Sequence, residues 1–399
     1  MKRLLAAASA VVIAAAAVGW AGPPSAAGAT VIDAKKATIT IWHGYLGGLG
    51  SEDAAFNTVL ASIRPRFPNV TFKVVRQPWF GDIYTKFEAD PVHGPDLFVA
   101  PNDRIAIETA AGLLRDVTAS MKSRAAGLTP QARAGAIVSK KYRMIPESSK
   151  SMALFVRPTR VTVTPATTGA LLDAVKGGMK LGFLATGYDA AGFYPAFGGR
   201  IVDATYRCIA DRTPGVADTF AYLRRLADAG ASAYRVVDYI KLQEEFRAGR
   251  LDAVLDGSWA AADYRKALGT DVAVVPMPAG PVAAAKPFVG TDGWFVNAKR
   301  SNGALATKIA LAMSDTAAQT TMMKSAGHIP ANASIAVTEP ISVVFKRVIA
   351  TGQLMPVGPA FAAYWDPFRV AAETVVFDGA DATAAVKTAC STMNATNGK

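Results

Sequence analysis

Cysteine and histidine are scarce in this chain of 399 residues: Cys208 and Cys390 are the only cysteines, and His43, His93 and His328 the only histidines. The histidines stand singly, so no grouping with zinc-ligand spacing can be drawn, and a dedicated metalloenzyme is not supported. The two thiols can form one bridge or remain as two buried free thiols, and spacing alone does not choose. Catalytic signatures are missing as well. There is no GxSxG elbow, no GxxxxGK[ST] phosphate loop and no HExxH, and the glycines from Gly44 to Gly50 do not fit GxGxxG in a βαβ unit. Beyond the N-terminus no apolar run approaches the ~20 residues of a spanning helix.

Positive charge is plentiful but dispersed. Lysine and arginine number 43 against 31 acidic residues, a net +12. Pairs such as Lys35-Lys36, Lys140-Lys141 and Arg224-Arg225 never grow into a basic block interleaved with aromatics, so they read as a solvated surface and not as a nucleic-acid site. At the N-terminus Lys2-Arg3, the apolar stretch Leu4 to Val18, Gly22-Pro23-Pro24 and the triplet Ala27-Gly28-Ala29 form the three regions of a secretory signal peptide, with cleavage expected after Ala29. No cysteine near that point could accept a lipid anchor, so the expectation is a soluble exported protein in an oxidising periplasmic or extracytoplasmic space.

From Ala37 onward short β-branched runs alternate with amphipathic stretches, the pattern of an α/β chain. Thr38 to Trp42 reads as a strand, and Phe56, Val59, Leu60 and Ile63 fall on one helical face. Val70, Phe72 and Val74 alternate as a strand, and Asp96 to Ala100 is an apolar strand feeding a helix that stops near Gly112. Thr213-Pro214 predicts a capped helix start with its stop at Gly230. Leu251 to Leu255 is a strand, Ser258 opens a helix ending at Gly269, Val272 to Val275 and Trp294 to Asn297 are extended, and helices dominate from Ser301.

Aromatic and polar side chains gather at the strand-to-helix junctions: Trp42, His43 and Tyr45 after the first strand, then Asp103-Arg104, Glu147, Tyr188, Trp259, Trp294 and Trp365. Ligands of open α/β sheets bind at the carboxyl ends of strands. Such a set suits a sugar, whose apolar ring faces can be covered by flat aromatic rings while its hydroxyls need in-plane polar partners. Each residue also has a plainer role: Asp103 as a helix N-cap, Trp259 and Trp294 as core, Tyr188 as packing in its loop.

The order of several short motifs adds what spacing does not. Ile39-Thr40-Ile41-Trp42, Gly94-Pro95-Asp96-Leu97-Phe98, Ile145-Pro146-Glu147-Ser148, Ala196-Phe197-Gly198-Gly199, Asp256-Gly257-Ser258-Trp259, Pro276-Met277-Pro278-Ala279-Gly280-Pro281, Gly327-His328-Ile329-Pro330-Ala331 and Tyr364-Trp365 follow one another in this sequence. In that arrangement the chain resembles the extracytoplasmic sugar-binding proteins of ABC importers, the maltose-binding type. The resemblance implies a monomer of two hinged α/β lobes, the type II periplasmic-binding fold, with no cofactor and no metal. Residues 30–144 plus 281–332 would form one lobe and residues 145–280 plus 333–399 the other.

Carried over by position, the resemblance makes Asp103, Arg104 and Glu147 hydroxyl partners. Tyr188 and Trp259 become rings of the second lobe, and Trp365 with Arg369 the C-terminal pair. Ala100, Thr186 and Asp189 depart from the maltose binder, which has an aromatic, a carboxylate and a ring there, so the subsites differ. The partners implied are a carbohydrate, maltodextrin-like or not, and the membrane permease of the importer. Other readings are a polyol or phosphodiester bound by the same fold, and a secreted glycosidase pairing Glu147 with Asp103 or Asp292. Both cysteines fall in the second lobe of this scheme, where a Cys208–Cys390 disulfide is expected.

Overall fold

The computed structural model describes residues 30–45, 50–77 and 82–399. The expected signal peptide and the middle of the Gly44 to Gly50 loop lie outside them.

Two sheets organise the chain. The first runs in the order Ile329–Pro330, Ile145–Lys150, Phe288–Val296, Leu97–Pro101, Ala37–His43 and Val70–Arg76, with Gln353–Leu354 added to the start of Phe288–Val296. The second runs Ala273–Val275, Met152–Val156, Ala253–Gly257, Leu181–Leu184 and Ser232–Tyr234. Each is mixed: Ala37–His43 is parallel to both its neighbours, whereas Phe288–Val296 is antiparallel to Leu97–Pro101 and to Ile145–Lys150. Strands buried on both faces read as continuous apolar runs, as Leu97–Pro101 does, whereas the edge strand Val70–Arg76 alternates between half-buried and exposed residues over its first five positions.

The helix Ser51–Ile63 buries Phe56, Val59, Leu60 and Ile63 as the periodicity predicts, and packs on Thr316–Ala326. Gly112, Gly230 and Gly269 all adopt positive φ where helices end, a conformation that costs other residues strain. Thr213 does not cap its helix, however. That helix is Gly215–Asp228, with Pro214 at the N-cap and no side-chain cap. The strand expected over Leu251 to Leu255 is Ala253–Gly257, because its ladder with Met152–Val156 starts at Ala253.

The chain passes between the sheets three times. Ile145–Lys150 pairs within the first sheet and Met152–Val156 within the second, so the first passage falls at Ser151, beyond the boundary expected at residue 144. Phe288 lies in the core of the second lobe while Trp294, on the same strand, lies in that of the first. The last passage separates Ile329–Pro330 from Pro340–Thr351, whose Ile341, Phe345 and Ile349 pack with Phe155 and Tyr264. The C-terminal helices Trp365–Asp378 and Ala382–Thr396 pack on each other and on Gly215–Asp228 in the second lobe. Cys390, on the last helix, is bonded to Cys208, with their Cα atoms 5.3 Å apart.

Candidate functional site

A cavity of about 600 Å³ opens between the lobes, at the carboxyl ends of Leu97–Pro101, Leu181–Leu184 and Ala253–Gly257. Its walls differ in chemistry. The first lobe contributes Gly50, Glu52, Asp103, Lys150 and Asp292, and the second contributes Tyr188, Tyr239, Trp259 and Trp365 with several polar groups.

Trp259 follows directly from its motif. Asp256 is fully enclosed at the end of its strand, where it accepts from the Gly257 amide at 2.7 Å and the Tyr239 hydroxyl at 3.0 Å. Burial pushes its carboxyl up to about 6. Tyr239 in turn accepts from Gln243 at 2.6 Å and from the indole nitrogen of Trp259. A Cβ at Gly257 would collide with the Trp259 ring, so glycine lets the indole lie flat on the backbone. The ring is thereby fixed at its edge and supported on one face. Tyr188 lies 6.3 Å from Trp259 and 6.3 Å from Trp365, centroid to centroid, completing an aromatic arc.

Asp103 is held on the opposite wall by its neighbour. The buried Asn102 donates to the Gly135 carbonyl and accepts from the Thr291 amide, both at 3.1 Å, which fixes the loop. Burial pushes the Asp103 carboxyl up to about 6, with Lys150 pulling it down. Lys150 lies 2.9 Å from Asp292, and its ammonium stands 5.4 Å from the Trp259 ring centre, bridging the two walls. A second bridge joins the lobes at the rim, where the amide and hydroxyl of Ser51 donate to Asp263 at 3.0 and 2.6 Å. Asp189 receives the Thr186 hydroxyl, and burial pushes its carboxyl up to about 7. The Tyr188 hydroxyl and the Trp365 indole nitrogen are buried with no hydrogen-bond partner among the described residues, and both residues line the cavity.

Of the residues expected from the sequence, Asp103, Tyr188, Asp189, Trp259, Asp292, Trp365 and Arg369 line this cavity. Arg369 reaches it already paired, to Asp366 at 2.6 Å and Glu373 at 3.0 Å. Six others sit elsewhere. Arg104 makes a two-pronged bond to Glu88, 2.7 Å on each arm. Trp42 packs half-buried against the first core, and Tyr45 is enclosed within it. His43 stacks 4.5 Å from Phe56, and burial lowers its pKa to about 4, with Asp53 opposing. Trp294 is in the core beside Phe56, because it lies opposite Val99 in the middle of the sheet, whereas Asp292, two residues earlier, lies opposite Pro101 at the strand end that opens on the cavity.

Glu147 is 2% exposed and bonded to His328 Nδ1 at 2.9 Å, while His328 Nε2 reaches Glu52 at 2.9 Å. Burial works against the imidazolium, but the two carboxylates outweigh it and raise the pKa well above the ordinary histidine value. Glu147 therefore acts on the cavity only through His328 and Glu52. Reading the sequence did not single out Glu52, Lys150, Tyr239, Gln243 or Asp263. Tyr239 and Gln243 carried a usable signal, being i and i+4 on one helix.

Among the described residues no group of His, Cys, Asp and Glu could hold a metal ion, and no helix is long and apolar enough to cross a membrane. The sequence pattern of a family described as bacterial extracellular solute-binding protein matches residues 55–344. The chain belongs to that family. As a solute-binding protein it has a cavity that serves capture, not turnover. No curated protein matches it in sequence. Its fold is that of several solved structures. The maltose/maltodextrin-binding domain MalE from Bdellovibrio bacteriovorus, bound to maltotriose, superposes with a TM-score of 0.81 at 20% identity, covering 91% of this chain and 100% of that one. The GacH receptor of Streptomyces glaucescens, solved unliganded and with acarbose, gives 0.83 at 19% identity, covering 90% and 98%. The maltotriose-binding protein of Thermus thermophilus, with maltotriose bound, gives 0.80 at 22%, covering 90% and 100%.

Proposed function

We propose that this protein captures an oligosaccharide between its lobes and delivers it to the membrane permease of an ABC importer. The observation that carries the reading is the Trp259 indole, laid flat on Gly257 and pinned through Tyr239, facing a wall of carboxylates across the cavity. Rings cover the apolar faces of a pyranose, and carboxylates accept from its hydroxyls. Asp103, Tyr188, Asp189, Trp259, Asp292, Trp365 and Arg369 are the proposed contacts, and the maltotriose-bound relatives support this class of solute.

The two walls belong to different lobes, so a sugar touching both favours the closed arrangement, and the permease reads closure as occupancy. Residues 1–29 act as the export signal in this scheme, and the mature chain works as a monomer. A thermal-shift screen against neutral oligosaccharides of two to four units tests the reading. Stabilisation by at least one is expected, together with a smaller radius of gyration in solution scattering. No shift with any sugar would overturn it.

A further inference from the structure

The charge of the cavity goes further than its shape. Among the described residues six carboxylates line it, from Glu52, Asp103, Asp189, Asp263, Asp292 and Asp366, against the two cations Lys150 and Arg369. Both cations are committed, Lys150 to Asp292 and Arg369 to Asp366 and Glu373. Glu52 is met by His328, and Asp263 by the Ser51 amide and hydroxyl. Asp103 and Asp189 are left with no ion-pair partner among the described residues. Between these walls stands the Tyr188 hydroxyl, buried and unpartnered, in the field of Asp103, Asp189 and Asp292 together.

We propose that the solute carries a positive charge, as an amino sugar or an oligosaccharide with an amine in place of a hydroxyl, and that its ammonium group is received by Asp103, Asp189 and the Tyr188 hydroxyl. The proposal rests on the carbohydrate reading above. A neutral hydroxyl can donate to a buried carboxylate but leaves its charge uncompensated, whereas an ammonium supplies both donor and charge. The cavity already holds one alkylammonium in this way, Lys150, between the Asp292 carboxylate and the face of Trp259. Anionic solutes are disfavoured by the same balance.

Titration gives an independent handle. Asp103 is faced by Lys150 and Arg104, which favour its charge, and by Asp292, which opposes it. Asp189 is faced by the Thr186 hydroxyl and by Asp256. With burial these place the two carboxyls at about 6 and about 7. The 6-ammonium of a 6-amino-6-deoxy sugar stays charged across that range, whereas the 2-ammonium of glucosamine loses its proton toward its upper end, so binding of the 6-amino sugars strengthens as pH rises from 5 to 7.5.

Calorimetry with maltotriose and its three 6-amino-6-deoxy positional isomers, and with the glucosamine trimer and its N-acetylated form, tests this at pH 5 and pH 7.5. At least one amine should bind about tenfold more tightly than its neutral counterpart at pH 7.5. That ratio should fall toward one at pH 5, and likewise in Asp103→Asn and Asp189→Asn. Neutral sugars binding as tightly as every amine would overturn the proposal and leave the carbohydrate reading standing. Binding of none of the six would overturn both.

Discussion

The two walls of the cavity are built by different means. On the second-lobe side the rings are held mainly by packing, Trp259 on Gly257 with one hydrogen bond to Tyr239 and Trp365 against Tyr364 and Phe361, and beneath them the last helix is tied by Cys390 to Cys208. On the first-lobe side Asp103, Lys150 and Asp292 are held by hydrogen bonds and ion pairs, through Asn102 and through one another. Packing fixes a flat surface with less dependence on pH and salt. Ion pairs fix donors and acceptors whose strength follows both. A solute thus meets a rigid apolar face and an electrostatically tunable one.

The largest expected effect comes from cutting the brace beneath the rings. The bridge joins residues 182 apart, and in the chain-entropy model a loop of that length contributes on the order of 5 kcal/mol, an upper figure because residual structure in the unfolded chain reduces it. The Cys208→Ser/Cys390→Ser double variant should therefore unfold at clearly lower denaturant concentration. An unchanged midpoint would mean that packing alone holds this wall. Next comes the ring itself: Trp259→Ala should weaken sugar binding by about 1 to 3 kcal/mol, as a central aromatic contact does, with little change in melting temperature. If the variant unfolds instead, the indole is core and not a solute contact.

The rim bridge tests how the walls meet. Asp263 caps the helix Ser51–Ile63 from across the cleft, since Ser51 has no such partner on its own lobe among the described residues. Asp263→Ala removes a cap worth about 1 kcal/mol, so sugar should leave roughly fivefold faster and the radius of gyration without sugar should rise. Equal scattering and equal dissociation rates would show that closure does not use this contact.

Reading the residues alone went furthest where local rules decide. Helix faces such as Phe56, Val59, Leu60 and Ile63, and glycine stops such as Gly112, depend on spacing and backbone sterics, and both were legible. The site was legible where a motif carries its own support, as Asp256-Gly257-Ser258-Trp259 does. It failed where strand geometry decides. Glu147 is the extra residue of a bulge, skipped where its strand pairs with Phe288–Val296, and it turns to His328: the motif pointed to Glu147, while Lys150 reached the cavity. Asp292 and Trp294 share a strand face and differ in depth, Asp292 opposite Pro101 at the cavity end and Trp294 opposite Val99 in the core. Asp263 needed knowledge of which helices meet across the cleft, which the Ser51–Asp263 contact supplies.

The smallest effect is a pH dependence to which both walls contribute. In the unliganded protein Asp103 and Asp256 sit at about 6 and Asp189 at about 7, all above the ordinary 3.8 because burial disfavours their charge. Between pH 4 and 7 the folded chain then holds more protons than the unfolded one, so stability falls as pH rises through that window. Glu108, raised well above 4.5 chiefly by burial, acts in the same direction. His328 does too above 6.5, since its raised value means that its contribution fades as pH climbs toward the folded pKa. His43 opposes them, being lowered to about 4, so that stability is lost as pH falls from 6.5 toward 4. The melting temperature without sugar should therefore decline from pH 6 to pH 8. Asp189→Asn, which removes the highest of the three aspartates, should flatten that decline. Scanning calorimetry across this range decides it: a melting temperature that stays level or rises toward pH 8 in the wild-type protein would show that the buried carboxylates are already compensated.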